Sequence, residues 1–455
     1  MLDIIQNKTL AFIAGIVYLI GTLYVFFVAH KRGKFSFILI IYEYFFIVGL
    51  GISAIFLAFG YGANTDFYRS YILSNRSISD LTFWHLIFYS LGMVFGMAAY
   101  VPKDASNKSL TKPLKISSID CLLYYKTLIG LGILFLLIYV FLAGPQVAFT
   151  TSATARAGDR EGLEELSSFL FFKNIAQIGG LSLIFFPLVL VQKKNLFNII
   201  FLLIYGLLLY SLTGARAAIS DTIFFALVIY MSLTKFDFRK TILLTIFISA
   251  GLFFVMYGKG LGDDVFSVLF GQKNSVELRD NDIELFIGQF NNLIFSIDAG
   301  IKNFDNEGPF ISKAILLAPL GFMPSWLFDN LGLQALSWQH LESKDNIVCL
   351  NTMAFPLAFP CTVPPYYVGV AAYLGSVVFG FVFGFVKFYF ISMISIMWKR
   401  YRFYPELLWK PLILFILLER LTLFIPNVIG LFSFIAIIVL TFLYCQKLLR
   451  RKINS

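Results

Sequence analysis

An arginine in a short polar segment is the group of this sequence best suited to binding an anion. Arg216 follows Thr213-Gly214-Ala215 between two long apolar runs. Gly214 permits a tight reversal, and we expect Arg216 to begin the next helix, whose free N–H groups and dipole already favour an anion. A guanidinium binds phosphate through two parallel hydrogen bonds. The segment predicts a phosphate site; the alternative is an arginine that extends its charged head to a polar interface.

Three further arginines could bind an anion in the same way. Arg420 stands next to Glu419 near the end of a late apolar run. Arg156 and Arg160 are four residues apart, so they share one face if their segment is helical. The alternatives are an internal ion pair for Glu419 and Arg420, and ordinary surface charge for Arg156 and Arg160.

Proton transfer requires a different set of side chains. His340, Asp298 and Glu342 lie in one long segment, residues 258–365, and each is of a type that can take a proton from a hydroxyl group. For His340 the alternative is a structural histidine. The sequence contains no phosphate-binding loop, no GxGxxG, no HExxH and no CxxC, so it predicts neither a nucleotide cofactor nor a metal site.

The amino-acid composition indicates whether the candidate site residues lie in a soluble protein or in a membrane protein. Hydrophobic residues make up 59% of the 455 residues, charged residues only 14%, and the net charge is +10. Soluble domains carry about 25% charged residues. A soluble enzyme, a nucleic-acid-binding protein and a disordered scaffold are therefore excluded, and membrane lipid is the expected surrounding.

Continuous apolar runs of bilayer-crossing length predict an all-α polytopic membrane protein with about eleven transmembrane helices. The runs do not alternate in polarity, which excludes a β-barrel. A histidine inside the third run, His85, is expected to make a buried polar contact. The predicted spans are 9–29, 36–59, 81–101, 119–143, 168–191, 196–213, 217–234, 241–257, 366–388, 408–425 and 428–446.

The distribution of lysine and arginine predicts the orientation. Twenty of the 36 basic residues fall in alternate, mostly short connections, which the positive-inside rule assigns to the cytoplasm. The N-terminus is then outside and the C-terminus inside. The residues are Lys31, Arg32, Lys34, Lys103, Lys108, Lys112, Lys115, Lys193, Lys194, Lys235, Arg239, Lys240, Lys399, Arg400, Arg402, Lys410, Lys447, Arg450, Arg451 and Lys452.

Three regions follow from this topology. Residues 1–257 hold the first eight spans with outer loops 60–80 and 144–167, and residues 366–455 hold the last three spans and a basic tail. Residues 258–365 form a large outer loop, in which 283–301 and 311–327 are predicted to be helical and the second to be interfacial or re-entrant. Cys349 and Cys361 share this loop, either as a disulfide or as two free thiols.

The whole-chain plan resembles the Wzy-type polysaccharide polymerases of O-antigen and enterobacterial common antigen. These proteins have about a dozen spans and a large periplasmic loop in the second half. Arg420 and Arg156 stand where the family tends to place arginines. Three short motifs carry the resemblance: Ser211-Leu212-Thr213-Gly214-Ala215-Arg216-Ala217, Met323-Pro324-Ser325-Trp326-Leu327, and Pro365-Tyr366-Tyr367 followed by Gly369 and Tyr373-Leu374-Gly375.

The resemblance implies a glycosyltransferase-C-like membrane bundle in the bacterial inner membrane, with its active site facing the periplasm. The growing glycan would leave undecaprenyl diphosphate and pass to the non-reducing end of a new undecaprenyl-diphosphate-linked oligosaccharide. Arg216, Arg420 and Arg156 would hold the departing diphosphate, and His340, Asp298 or Glu342 would act as the base. A chain-length regulator of the Wzz type and a flippase are implied as partners. The alternative functions are an O-antigen ligase and a lipid-linked oligosaccharide flippase.

Overall fold

Over the residues that it describes, the computed structural model is almost entirely helical, which agrees with the predicted all-α membrane protein. It describes residues 7–33, 44–60, 77–99, 118–144, 175–192, 196–213, 225–233, 293–305, 366–401 and 407–423, together with a few isolated positions. Four helices in these ranges are long and apolar enough to cross a membrane: Lys8–Arg32, Asp80–Ala99, Leu122–Leu142 and Tyr367–Tyr401.

The described helices occupy nine of the eleven predicted spans, in whole or in part. In chain order they are α1 (Lys8–Arg32), α2 (Tyr44–Ala58), α3 (Asp80–Ala99), α4 (Ser118–Ala143), α5 (Phe186–Gln192), α6 (Leu196–Thr213), α7 (Phe225–Leu233), α8 (residues 293–302), α9 and α10 (the two parts of Tyr366–Tyr401) and α11 (Trp409–Leu423). The predicted spans 241–257 and 428–446 lie outside the described residues.

The predicted span 168–191 differs from a single α-helix. A 3-10 helix, Ala176–Ile184, precedes α5. Pro187 explains the break before α5, because proline has no N–H to donate to the Leu183 carbonyl and its ring crowds that carbonyl. The 3-10 helix packs on α4 and α6, where the Tyr205 hydroxyl donates to the Ala176 carbonyl at 2.6 Å.

The predicted span 366–388 also differs, because the helical stretch Tyr366–Tyr401 is interrupted at Gly375 and Ser376. A continuous helix would separate Tyr367 from Phe383 by about 24 Å. Instead the Tyr367 hydroxyl donates to the Phe383 carbonyl at 3.1 Å, and the two ring centroids are 4.8 Å apart. The chain therefore reverses at the interruption. Residues 366–374 form a short helix, α9, which folds back along α10, residues 377–401.

Helices α1, α3 and α10 lie side by side and run in the same direction. Gly380 of α10 faces the His85 carbonyl, and Gly384, one turn later, faces the Tyr89 carbonyl. Tyr18 of α1 stacks on Tyr89 of α3, with ring centroids 6.4 Å apart. At the two ends, Ile5 pairs with Ile78 through a β-bridge, and Arg32 donates to the Met97 carbonyl at 2.6 Å.

Glycines allow α3 and α10 to approach at backbone distance. A Cβ at Gly92 would collide with the Phe381 carbonyl and would lie 2.8 Å from the Phe385 nitrogen. A Cβ at Gly96 would collide with the Phe385 carbonyl in the same way. Small residues commonly permit such contacts between membrane helices, where van der Waals packing drives association.

We predict that Gly92→Ala destabilises the protein, because the new methyl group overlaps the backbone of α10. The expected loss is about 1–3 kcal/mol, seen as a lower melting temperature of the purified protein in detergent. Gly130→Ala in α4 is the control, since a Cβ there meets open space. Equal melting temperatures for the two variants would contradict the close packing of α3 on α10.

Candidate functional site

The reversal between α9 and α10 is a strained piece of backbone inside the helix bundle. Ser376 has φ 51° and ψ −131°, and it is the single non-glycine residue with positive φ in the part of the chain that the structure describes. Such a conformation costs about 1–3 kcal/mol and persists only where the surroundings enforce it. At Gly375 a side chain is excluded, because a Cβ would overlap the ring of Phe379.

His85 of α3 holds this reversal. Its side chain is fully buried, and Nδ1 lies 2.7 Å from the Ser376 carbonyl oxygen. A carbonyl can only accept, so Nδ1 carries the proton and Nε2 has a lone pair in the neutral ring. Among the described residues Nε2 completes no hydrogen bond of good geometry, although the Val368 carbonyl of α9 lies beside the ring. His85 thus contacts both the short helix and the turn, and the expected buried polar contact is confirmed.

A cation lies deep in the bundle under α9. Lys387 of α10 is 3% exposed, and its Nζ is 5.9 Å from the ring centroid of Tyr367. Twelve residues separate Lys387 from Lys399 at the basic end of α10, a rise of about 18 Å along the helix. A charge at this depth costs about 2.5–3.5 kcal/mol on insertion scales and usually has a function.

A second polar cluster ties α8 to the beginning of α3. The fully buried Asp298 accepts from the Ser79 N–H at 2.7 Å and from the Thr82 hydroxyl at 2.8 Å. Its other oxygen is 2.6 Å from Lys302, whose ammonium also donates to the Ser77 carbonyl. The carboxylate therefore sits at the N-terminus of α3, where the helix dipole favours negative charge.

Burial raises the pKa of Asp298, while the Lys302 ammonium and the Ser79 N–H act in the opposite direction. Both carboxylate oxygens are engaged and neither is exposed. These contacts are those of an anchoring carboxylate. The role of Asp298 as a base in catalysis stays a prediction.

The other predicted site residues are described only in part. Arg420 lies in α11, three residues before that helix ends at Leu423, and its side chain lies outside the described residues. Six further predicted site residues lie outside the described residues: Arg216, Gly214, Arg156, Arg160, His340 and Glu342. The structure therefore does not describe how the predicted arginines lie relative to Asp298.

Lys387, Tyr367 and Ser376 were not among the predicted site residues. The predicted span 366–388 puts Lys387 at its end, whereas the apolar sequence continues to residue 398. That continuation is the signal that places Lys387 inside a longer helix. No sequence pattern marks Ser376 as the residue with positive φ.

The opposite end of the same helices is also fixed by an arginine. Arg32 at the end of α1 donates to the Met97 carbonyl of α3 and to the Ser392 hydroxyl of α10. Helix α3 is therefore held at one end by Asp298 and at the other by Arg32. Within the described ranges, no group of three His, Cys, Asp or Glu side chains is arranged to hold a metal ion.

Comparisons with other proteins add no family assignment: no family model, no curated protein and no solved structure matches this chain.

We predict that Asp298→Ala destabilises the protein by about 2–4 kcal/mol, because it removes one partner from a buried, charge-assisted network. Asp298→Asn should cost less, since the amide oxygen can still accept from Ser79 and Thr82. Thermal unfolding followed by intrinsic fluorescence measures both variants. The exposed Asp305 provides the control variant Asp305→Asn, which should unfold like the parent. An unchanged melting temperature for Asp298→Ala would rule out the anchoring role.

Proposed function

We propose that this protein is an O-antigen polysaccharide polymerase, a glycosyltransferase that uses lipid-diphosphate-linked sugars. The observation that carries the proposal is the segment Ser211–Ala217 with Arg216. Helix α6 is apolar and is described as far as Thr213, and Gly214 and Arg216 come next in the sequence. An apolar helix directly before this segment supports the predicted turn between two spans, with an arginine near the surface of the membrane.

The proposal places eleven spans in the bacterial inner membrane, with the N-terminus outside and the C-terminus inside. Two features of the structure support it. The parallel course of α1, α3 and α10 is the one that this topology requires of its first, third and ninth spans. Arg32, Met97 and Ser392 also meet at the end where Lys31, Lys399 and Arg400 lie, the end assigned to the cytoplasm.

In the proposed reaction the bond between the growing glycan and undecaprenyl diphosphate breaks, and a hydroxyl of the incoming lipid-linked unit forms the new glycosidic bond. The leaving diphosphate gains negative charge as the bond breaks. Arginines at the outer surface, Arg216 first and then Arg420, Arg156 and Arg160, stabilise that charge. His340, Asp298 or Glu342 takes the proton of the acceptor hydroxyl. A chain-length regulator is the proposed protein partner of this enzyme.

We predict that Arg216→Ala abolishes long glycan chains, because loss of a donor to the transition-state charge slows such reactions by about 10²–10³-fold. The measurement is the lipopolysaccharide ladder on a gel, in a deletion strain that produces each variant at equal level. Arg216→Lys should restore part of the ladder, and Arg239→Ala, in a connection assigned to the cytoplasm, should leave it intact. A normal ladder from Arg216→Ala would remove this residue from the mechanism.

A lipid-linked oligosaccharide flippase is the second candidate, and one observation favours it. Discontinuous helices near the middle of the membrane line the substrate sites of many transporters. The reversal between α9 and α10 is a helix break, and it places the first turn of α9 beside Lys387, about 18 Å along α10 from Lys399 at its basic end.

We predict that deletion of the gene leaves lipid A-core with a single repeat unit and leads to lipid-linked single units on the periplasmic face. Polymerase loss stops chain growth after the units have crossed the membrane, whereas flippase loss retains them on the cytoplasmic face. Access of an impermeant sugar-oxidising reagent to the units in intact spheroplasts distinguishes the two. Loss of a ligase would leave core with no attached unit, and an unchanged ladder would reject all three functions.

A further inference from the structure

Helix α9 is a short element that covers Lys387, the one buried lysine or arginine among the described residues. Residues 367–373 are all buried, and the element is followed by a reversal rather than by a continuous span. Its first turn lies over Lys387, with the Tyr367 ring 5.9 Å from Nζ and the Tyr367 hydroxyl bonded to the Phe383 carbonyl. Movement of α9 away from α10 would therefore uncover Lys387.

The reversal has the properties of a hinge. Gly375 and Ser376 separate two regular helices, and Ser376 is held at a positive φ that an L-residue rarely adopts. Backbone strain of this kind is relieved when the restraints that enforce it are removed. Rotation about these two residues would let Ser376 return to an ordinary conformation.

Tyr367 bonds α9 directly to α10, and two further restraints on α9 start from α3. His85 donates to the Ser376 carbonyl. The second restraint is α8, which packs on α9 at Gly300: a Cβ there would lie 2.8 Å from the Ala372 Cβ and 2.9 Å from the Gly369 carbonyl oxygen. Asp298 in turn fixes α8 to Ser79 and Thr82.

We propose that α9 is a gate that hinges at Gly375 and Ser376, is held shut by His85 and by α8, and uncovers Lys387 when it opens. An ammonium uncovered in this way would receive an anionic group from the ligand. The inference stands on the geometry of α3, α8, α9 and α10 and does not require the polymerase reaction.

The test measures how often the gate is shut. Gly300→Cys and Ala372→Cys are introduced together in the full chain, with Cys121, Cys349, Cys361 and Cys445 replaced by serine, and the rate of disulfide formation under limiting oxidant is followed in membrane vesicles. The two sites are close enough for a disulfide after a small outward shift. Gly15→Cys with Ile55→Cys, between α1 and α2, forms the control pair, because these positions are in contact and lie away from the gate.

Removing the His85 hydrogen bond to Ser376 should slow disulfide formation between positions 300 and 372 and leave the control pair unaffected. We expect His85→Leu to lower the rate for the 300–372 pair by roughly fivefold, as the shut state loses population, and to leave the control pair unchanged. His85→Gln retains a donor and should lie closer to the parent. Equal rates in His85→Leu and the parent would overturn the gate.

A second variant keeps the test decisive if His85→Leu slows both pairs through misfolding. Ser376→Gly removes the strain of the shut state and retains the main-chain carbonyl that accepts from His85, because glycine adopts positive φ readily. It is combined with His85→Gln, a background in which the shut state is less populated than in the parent. The 300–372 pair should then form its disulfide faster than in His85→Gln alone, and an unchanged or slower rate would overturn the gate. Neither result depends on glycan synthesis, so failure of the gate and failure of the proposed function are distinguishable.

Discussion

A backbone reversal inside a membrane protein is stable only if neighbouring residues form hydrogen bonds with the backbone N–H and C=O groups that it leaves unpaired. Between α9 and α10 the helical ladder is interrupted, so backbone groups at the reversal need partners from neighbouring elements, because lipid offers none. His85 of α3 supplies one such partner by donating to the Ser376 carbonyl. The position of α9, its cover over Lys387 and its contact with α8 all follow from this reversal, so one imidazole hydrogen bond determines much of the arrangement of the bundle.

Helix α3 is the element through which these contacts are connected. Along its length it binds α8 through Thr82, the reversal through His85, α10 through Gly92 and Gly96, and α1 through Tyr89. The contacts follow one another by roughly one helical turn. Each neighbour of α3 is therefore positioned relative to the others, which is how a short helix such as α9 can be held in place with few contacts of its own.

The sequence predicted the helices well because apolar length alone defines a crossing segment. The predicted limits of α1, α4 and α6 fall within a few residues of the observed ones. The prediction of continuous helices was wrong where a local backbone feature interrupts an apolar run. Pro187 replaces part of a span with a 3-10 helix, and the reversal at Ser376 divides an apolar run that is uninterrupted in sequence. The site was less predictable still, because the contact between Asp298 and Ser79 spans more than two hundred residues and leaves no local pattern.

The fixed ends of α3 also make the protein sensitive to the membrane around it. Twenty residues of α-helix measure about 30 Å, which equals the hydrocarbon thickness of a typical bilayer. A helix with free ends could change its tilt when the thickness of the bilayer changes. Since Asp298 and Arg32 tie the two ends of α3 to different helices, tilting would have to carry α1, α8 and α10 along. The bilayer must then adapt its thickness to the protein, and lipid chain length becomes a variable that acts directly on the contacts at both ends of α3.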